Sequence, residues 1–221
     1  MDSKKTEVLY DHYKNTCETK DKTIKLRNKH FIDLCIVQVI NLLMTIKPYE
    51  IFEMVSKGFG EKMGFKLMVG NNILQSLMWV ITIYVSIRYI QDVLSIERNY
   101  KYINFLEKEI SSSLDTKVFS KEGYSYSKNY PNVLNFIDIF YKFLMPVVFI
   151  AIITFQIVKE FYQLDLNLIW YVIFDLFIYI SLVIIAVSYF LEIHPGIVKS
   201  LQKNKVLKSF GDWLETNLRR I

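Results

Sequence analysis

Asp175 is the only acidic residue in the run from Leu166 to Leu191, which is otherwise almost entirely apolar. A carboxyl group nine residues from the start and sixteen from the end of such a run costs about 2.5–3.5 kcal/mol to insert on translocon scales. Two arrangements make it tolerable. It is either protonated and hydrogen-bonded to a neighbouring helix, or it lines a pore in which several copies form a ring around water. A second set of chemically capable residues, Asp33, Arg88, Asp92, Asp138 and Lys142, flanks the apolar stretches. Their charges are suited either to salt bridges that pin a helical bundle or to a charged vestibule that ions cross. Asp138 and Lys142 are also spaced to satisfy each other one helical turn apart.

Motifs for reaction chemistry are weak. Gly58-Phe-Gly-Glu-Lys-Met-Gly64 lacks the spacing of a dinucleotide loop and follows no strand, and a phosphate-binding GxxxxGK[ST] is absent. Ser200-Leu-Gln-Lys203 matches SxxK without its companion motifs. His12, His30 and His194 are far from one another and from Cys17 and Cys35, so no metal site is expected. Cys17 sits in a charged segment and Cys35 in an apolar one, which argues against a disulfide between them. The chain reads as a non-enzyme without a cofactor.

The elements that must position these residues follow from where the charges are absent. The chain has 221 residues, 52% hydrophobic and 22% charged, and few of the charges fall within 31–46, 73–93, 137–158 and 166–193. About 20 apolar residues of helix cross a hydrocarbon core of about 30 Å. The expected fold is therefore all-α, an integral membrane protein with four transmembrane helices. Segment 1–30 reads as a charged helical leader that enters span one without a breaker. Segment 31–93 is a transmembrane hairpin with spans 31–46 and 73–93, joined by an interfacial segment 47–72 after Pro48, with Asn72 as an N-cap for span two. Ile96, Tyr100, Ile103, Leu106, Ile110 and Leu114 recur at steps of three or four. They extend span two as an amphipathic helix whose stripe needs a partner, within a helical extension and loop covering 94–136. Segment 137–193 is a second hairpin, with spans 137–158 and 166–193, a kink at Pro146 and a short link 159–165. A basic amphipathic tail, 194–221, follows.

Lys and Arg settle the expected orientation. Segments 1–30, 94–136 and 194–221 carry 20 of them, against 5 in segments 47–72 and 159–165. Both termini are then cytoplasmic, with Arg88 and Lys142 near the cytoplasmic ends of their spans. The net charge of +5 is read first as topology. The tyrosines and lysines of 98–130 also suit a platform for single-stranded nucleic acid, although aromatics beside lysines equally mark a membrane interface.

Leu9-Tyr-Asp-His-Tyr-Lys14, Lys25-Leu-Arg-Asn-Lys-His-Phe31, Ile96-Glu-Arg-Asn-Tyr-Lys-Tyr-Ile103, Phe119-Ser-Lys-Glu-Gly-Tyr-Ser-Tyr126 and Asn129-Tyr-Pro131 together resemble small prokaryotic multi-pass proteins of anti-phage defence loci. In particular they resemble the membrane effector of Hailong-type defence. The membrane subunits of Kiwa-type defence and the membrane accessory of type VI-B CRISPR systems are similar in size and span count. The Hailong resemblance implies an oligomeric ion channel in the bacterial inner membrane, held closed by a single-stranded DNA oligomer that a partner nucleotidyltransferase makes. It assigns no ligand-binding residues.

From residues and resemblance together, the expectation is a homo-oligomeric gated channel that disrupts membrane potential and arrests growth. Its pore or gate candidates are Asp175, Arg88, Asp138, Lys142 and Asp33. The alternative is a non-conducting scaffold or regulator that recruits a soluble partner. A small transporter is disfavoured, because spans one and two do not repeat as three and four.

Overall fold

Nothing between Ser3 and Ile46 breaks a helix, and the leader and span one form a single 44-residue helix, α1 (Ser3–Ile46). Thr16, Thr19 and Thr23, poor helix formers, turn their hydroxyls back to the carbonyls of His12, Asn15 and Thr19 at 2.7–2.9 Å. Lys47-Pro48 ends α1. Proline is well suited to the first position of a helix, where its missing N–H removes no bond, and α2 (Pro48–Met63) starts there. On α2, Lys57 donates a hydrogen bond to Glu53 Oε1 at 2.7 Å. That bond and the Lys57 charge hold the Glu53 carboxyl below its ordinary pKa. The remaining helices are α3 (Asn71–Leu114), α4 (Met145–Tyr162) and α5 (Ile169–Ile193).

This computed structural model describes residues 3–63, 71–114, 140, 144–162 and 169–193. Among the described residues every regular element is helical, and α1, α3, α4 and α5 are each long and apolar enough to cross a membrane. The loop after residue 114, the first part of span three and the tail 194–221 lie outside the described residues.

Three boundaries differ from expectation. α3 begins at Asn71, so Asn72 lies inside the first turn instead of capping it. α4 runs on through Lys159 and Glu160 to Tyr162, past the expected end at residue 158. A helix that reaches the membrane surface need not stop at its first charge, since terminal polar side chains can reach water or a neighbouring helix. Finally, Leu144 has π-helical geometry immediately before α4, so the expected disturbance at Pro146 falls at the described start of that helix.

The contacts divide the chain into two units. The first takes its described residues from 3–39 and 81–114. Here α1 and α3 run antiparallel: the Phe31 and Tyr89 rings lie 5.9 Å apart, His30 Nδ1 meets Asp92 Oδ2 at 2.7 Å, and Lys20 Nζ lies 5.3 Å from the centre of the Tyr100 ring. Of the stripe read in the sequence, Ile96, Ile103, Leu106 and Ile110 are buried, Tyr100 is half-buried and Leu114, at the end of the helix, is exposed; Val93 is buried as well. At about 1.5 Å per residue, each 44-residue helix is about 66 Å long. Roughly half of each extends beyond a 30 Å hydrocarbon core.

The second unit takes its described residues from 40–80 and from 140 onward. Its α4 and α5 form an antiparallel pair. Thr154 Oγ1 donates to the Ile150 carbonyl at 2.7 Å and meets the Tyr179 hydroxyl at 3.0 Å, which makes Tyr179 the donor across the helices. Asp175, Ile178, Leu182, Ala186 and Tyr189 form the inner stripe of α5, whereas Trp170, Phe174, Phe177 and Ile184 are exposed on its other side, as suits a lipid-facing surface.

Leu106 is 1% exposed on the part of α3 that projects from the membrane. Leu106→Ala is expected to destabilise the paired extensions by about 2–5 kcal/mol, measurable as a lower denaturation midpoint by circular dichroism in detergent. A midpoint unchanged from wild type would mean that the stripe has no tight partner.

Candidate functional site

Helix periodicity places Ser76 and Trp79 on one face of α3, Gln156 and Glu160 on one face of α4, and Asp175 and Tyr179 on one face of α5. All six belong to the second unit. Asp175, 3% exposed, accepts a hydrogen bond on Oδ2 from Ser76 Oγ at 3.0 Å. Glu160 accepts one on Oε1 from the Trp79 indole N–H at 2.8 Å. The Trp79 ring stands edge-on to Tyr179, with centroids 6.4 Å apart. Three helices are thereby tied together by five side chains.

The two acids also lie within hydrogen-bond reach of each other, and Gln75 of α3 reaches Glu160. Among the described residues each acid keeps one buried oxygen without a donor, Glu160 Oε2 and Asp175 Oδ1. Among the described residues neither forms an ion pair. Two like charges about 4 Å apart repel by about 4 kcal/mol at an effective dielectric of 20, so the closeness of these groups demands a neutralising partner. Gln156, one turn from Glu160 on α4 and 0% exposed, has neither amide atom bonded.

The depth of the set also follows from the helix ends. Glu160 is two residues from the end of α4, Asp175 six from the start of α5 and Ser76 five from the start of α3. Asp175 therefore lies about 9 Å along its helix, nearer the start of α5 than its middle.

The other predicted site residues are elsewhere. Asp92 takes His30 as its partner, not Arg88. Arg88 is exposed, its guanidinium 5.5 Å from the centre of the Tyr84 ring and its Nη1 3.5 Å from Gln91 Oε1. Asp33 is half-buried, and no described side chain pairs with it. Asp138 and Lys142 lie outside the described residues. No disulfide joins Cys17 to Cys35.

Sequence reasoning missed Glu160, because Lys159-Glu160 reads as the opening of a loop. An available signal was the i, i+4 spacing of Gln156 and Glu160, two polar groups on the face that would continue the helix inward. His30 was missed because its partner is 62 residues away.

No family model, curated protein or solved structure matches the chain. The fold defines the class alone: an all-helical protein with four helices suited to spanning a membrane.

Hydrogen bonds between membrane helices average about 0.6 kcal/mol and reach about 1.7 kcal/mol in double-mutant cycles. Ser76→Ala combined with Asp175→Asn is expected to give a coupling in that range, read from unfolding of the purified protein in detergent. Strictly additive effects would show that the Ser76–Asp175 bond contributes nothing.

Proposed function

We propose that this protein is a multi-pass protein of the bacterial inner membrane, with both termini cytoplasmic, that assembles as a homo-oligomer and conducts ions when activated. The observation that carries this reading is the acid pair of buried Asp175 and half-buried Glu160, with its buried polar neighbours Ser76 and Gln156. Ionisable groups retained within membrane helices are costly and characteristically mark ion or proton pathways. The distribution of Lys and Arg supports the orientation. Four helices from one chain enclose little room for water, which favours an assembly of several copies.

In this reading the cytoplasmic halves of α1 and α3 form the gate, and opening it depolarises the cell during phage infection. The defence context comes from the sequence resemblance. So does the closing ligand, a single-stranded DNA oligomer supplied by a nucleotidyltransferase.

One observation favours a second reading, a non-conducting scaffold. Tyr102 and Phe105 stack at 6.2 Å on the projecting half of α3 and are both exposed, where they offer an aromatic surface to a soluble partner.

Membrane potential in cells carrying the native locus separates the two. A channel loses depolarisation in Asp175→Asn and keeps it in Phe105→Ser. A scaffold keeps its protective function in Asp175→Asn, loses it in Phe105→Ser and never changes the potential.

A further inference from the structure

We propose that Glu160 and Asp175 form a single proton-binding site, a carboxyl–carboxylate pair that shares one proton between Glu160 Oε2 and Asp175 Oδ1. The other oxygens are already committed, Asp175 Oδ2 to Ser76 and Glu160 Oε1 to Trp79. What remains is one buried oxygen on each of two acids, neither with a donor, on side chains within hydrogen-bond reach of each other. A hydrogen atom between them satisfies both at once, and two like charges at that separation are strongly disfavoured.

The surroundings favour a proton over a basic side chain or a metal ion. α3 contributes Gln75, Ser76 and Trp79, and α5 contributes Tyr179, all neutral. On α4, Lys159 is half-buried and, among the described residues, pairs with neither acid. At the end of α1 the buried polar groups of this unit are the neutral Asn41 and Thr45. A hard cation takes six or more oxygen ligands, whereas among the described residues the uncommitted oxygens here are Glu160 Oε2, Asp175 Oδ1 and the Gln156 amide oxygen.

Gln156 supplies an independent observation. It is 0% exposed with its donor and acceptor both unused, one turn deeper along the face of α4 that carries Glu160. Such an amide is suited to hold a proton-carrying water, so the polar lining continues inward beyond the pair. A proton arriving near the end of α4 binds as Glu160 Oε2–H donating to Asp175 Oδ1, which changes the charge of the pair from −2 to −1. Release restores the charge. This site does not rest on the channel reading, since a shared proton stands whether or not the assembly conducts.

The test is infrared spectroscopy of the full-length protein in dodecyl maltoside, a detergent with no carbonyl of its own. Near neutral pH a protonated-carboxyl C=O band is expected. It disappears in both Glu160→Gln and Asp175→Asn and persists when potassium is exchanged for sodium. Wild-type protein carrying ¹³C in the glutamate side-chain carboxyls keeps the test valid if a variant fails to fold, because the label then shifts the band. The absence of a label-sensitive band would overturn the site, as would a band that sodium removes. Conductance plays no part in these readouts, so a failure here and a failure of the channel reading are told apart.

Discussion

Hydrocarbon gives a carboxyl group nothing to bond with, and the meeting of α3, α4 and α5 answers that constraint. Asp175 lies on the inner stripe of α5 with Ile178 and Leu182, so packing the apolar face necessarily buries the acid. Burial is tolerable because Ser76 donates to one of its oxygens. Glu160 is drawn in from the end of α4 and is itself held by the Trp79 indole. Trp79 then packs edge-on against Tyr179, whose hydroxyl donates to Thr154. Meeting the demand of one acid thus fixes side chains on every helix of the cluster. Apolar packing between membrane helices lacks the hydrophobic driving force available in water, which leaves such polar contacts to specify the helix register.

The long pair α1 and α3 meets a different solvent along its length. Toward water, burial of Ile103, Leu106 and Ile110 supplies an ordinary hydrophobic interface. Polar contacts join the two helices where charge must be accommodated, among them His30 with Asp92 and Lys20 over the Tyr100 ring. The buried lysine has its charge compensated both by the aromatic face and by Asp21, whose Oδ1 lies 3.6 Å from its Nζ. The pairing of α1 with α3 is thus continuous from the membrane segment into the extension.

The helices were legible in the sequence because apolar periodicity and the segregation of charge are strong, local signals. The unbroken run through the leader into span one and the stripe from Ile96 to Ile110 both correspond to helices seen here. The site was legible only in part. Asp175 stands out by its cost alone, but the residues that make it tolerable are neutral or lie at helix ends, where a sequence gives no sign of which helix they face. Ser76 is an ordinary small polar residue until α5 is placed beside it, and Glu160 looks like loop until α4 is seen to continue. Asp92 shows the same limit: Arg88, one turn away on the same helix, is the obvious partner in sequence, yet the antiparallel register with α1 brings His30 instead.

The most direct test of an ion-handling role for the buried acids is flux through the purified protein in liposomes, under an imposed voltage and under an imposed pH gradient. Wild-type protein is expected to pass cations or protons, and correctly folded Asp175→Asn protein is expected to lose that flux. Flux in the Asn variant equal to wild type, or none from wild type under either gradient, would contradict the claim that these acids carry ions across the membrane.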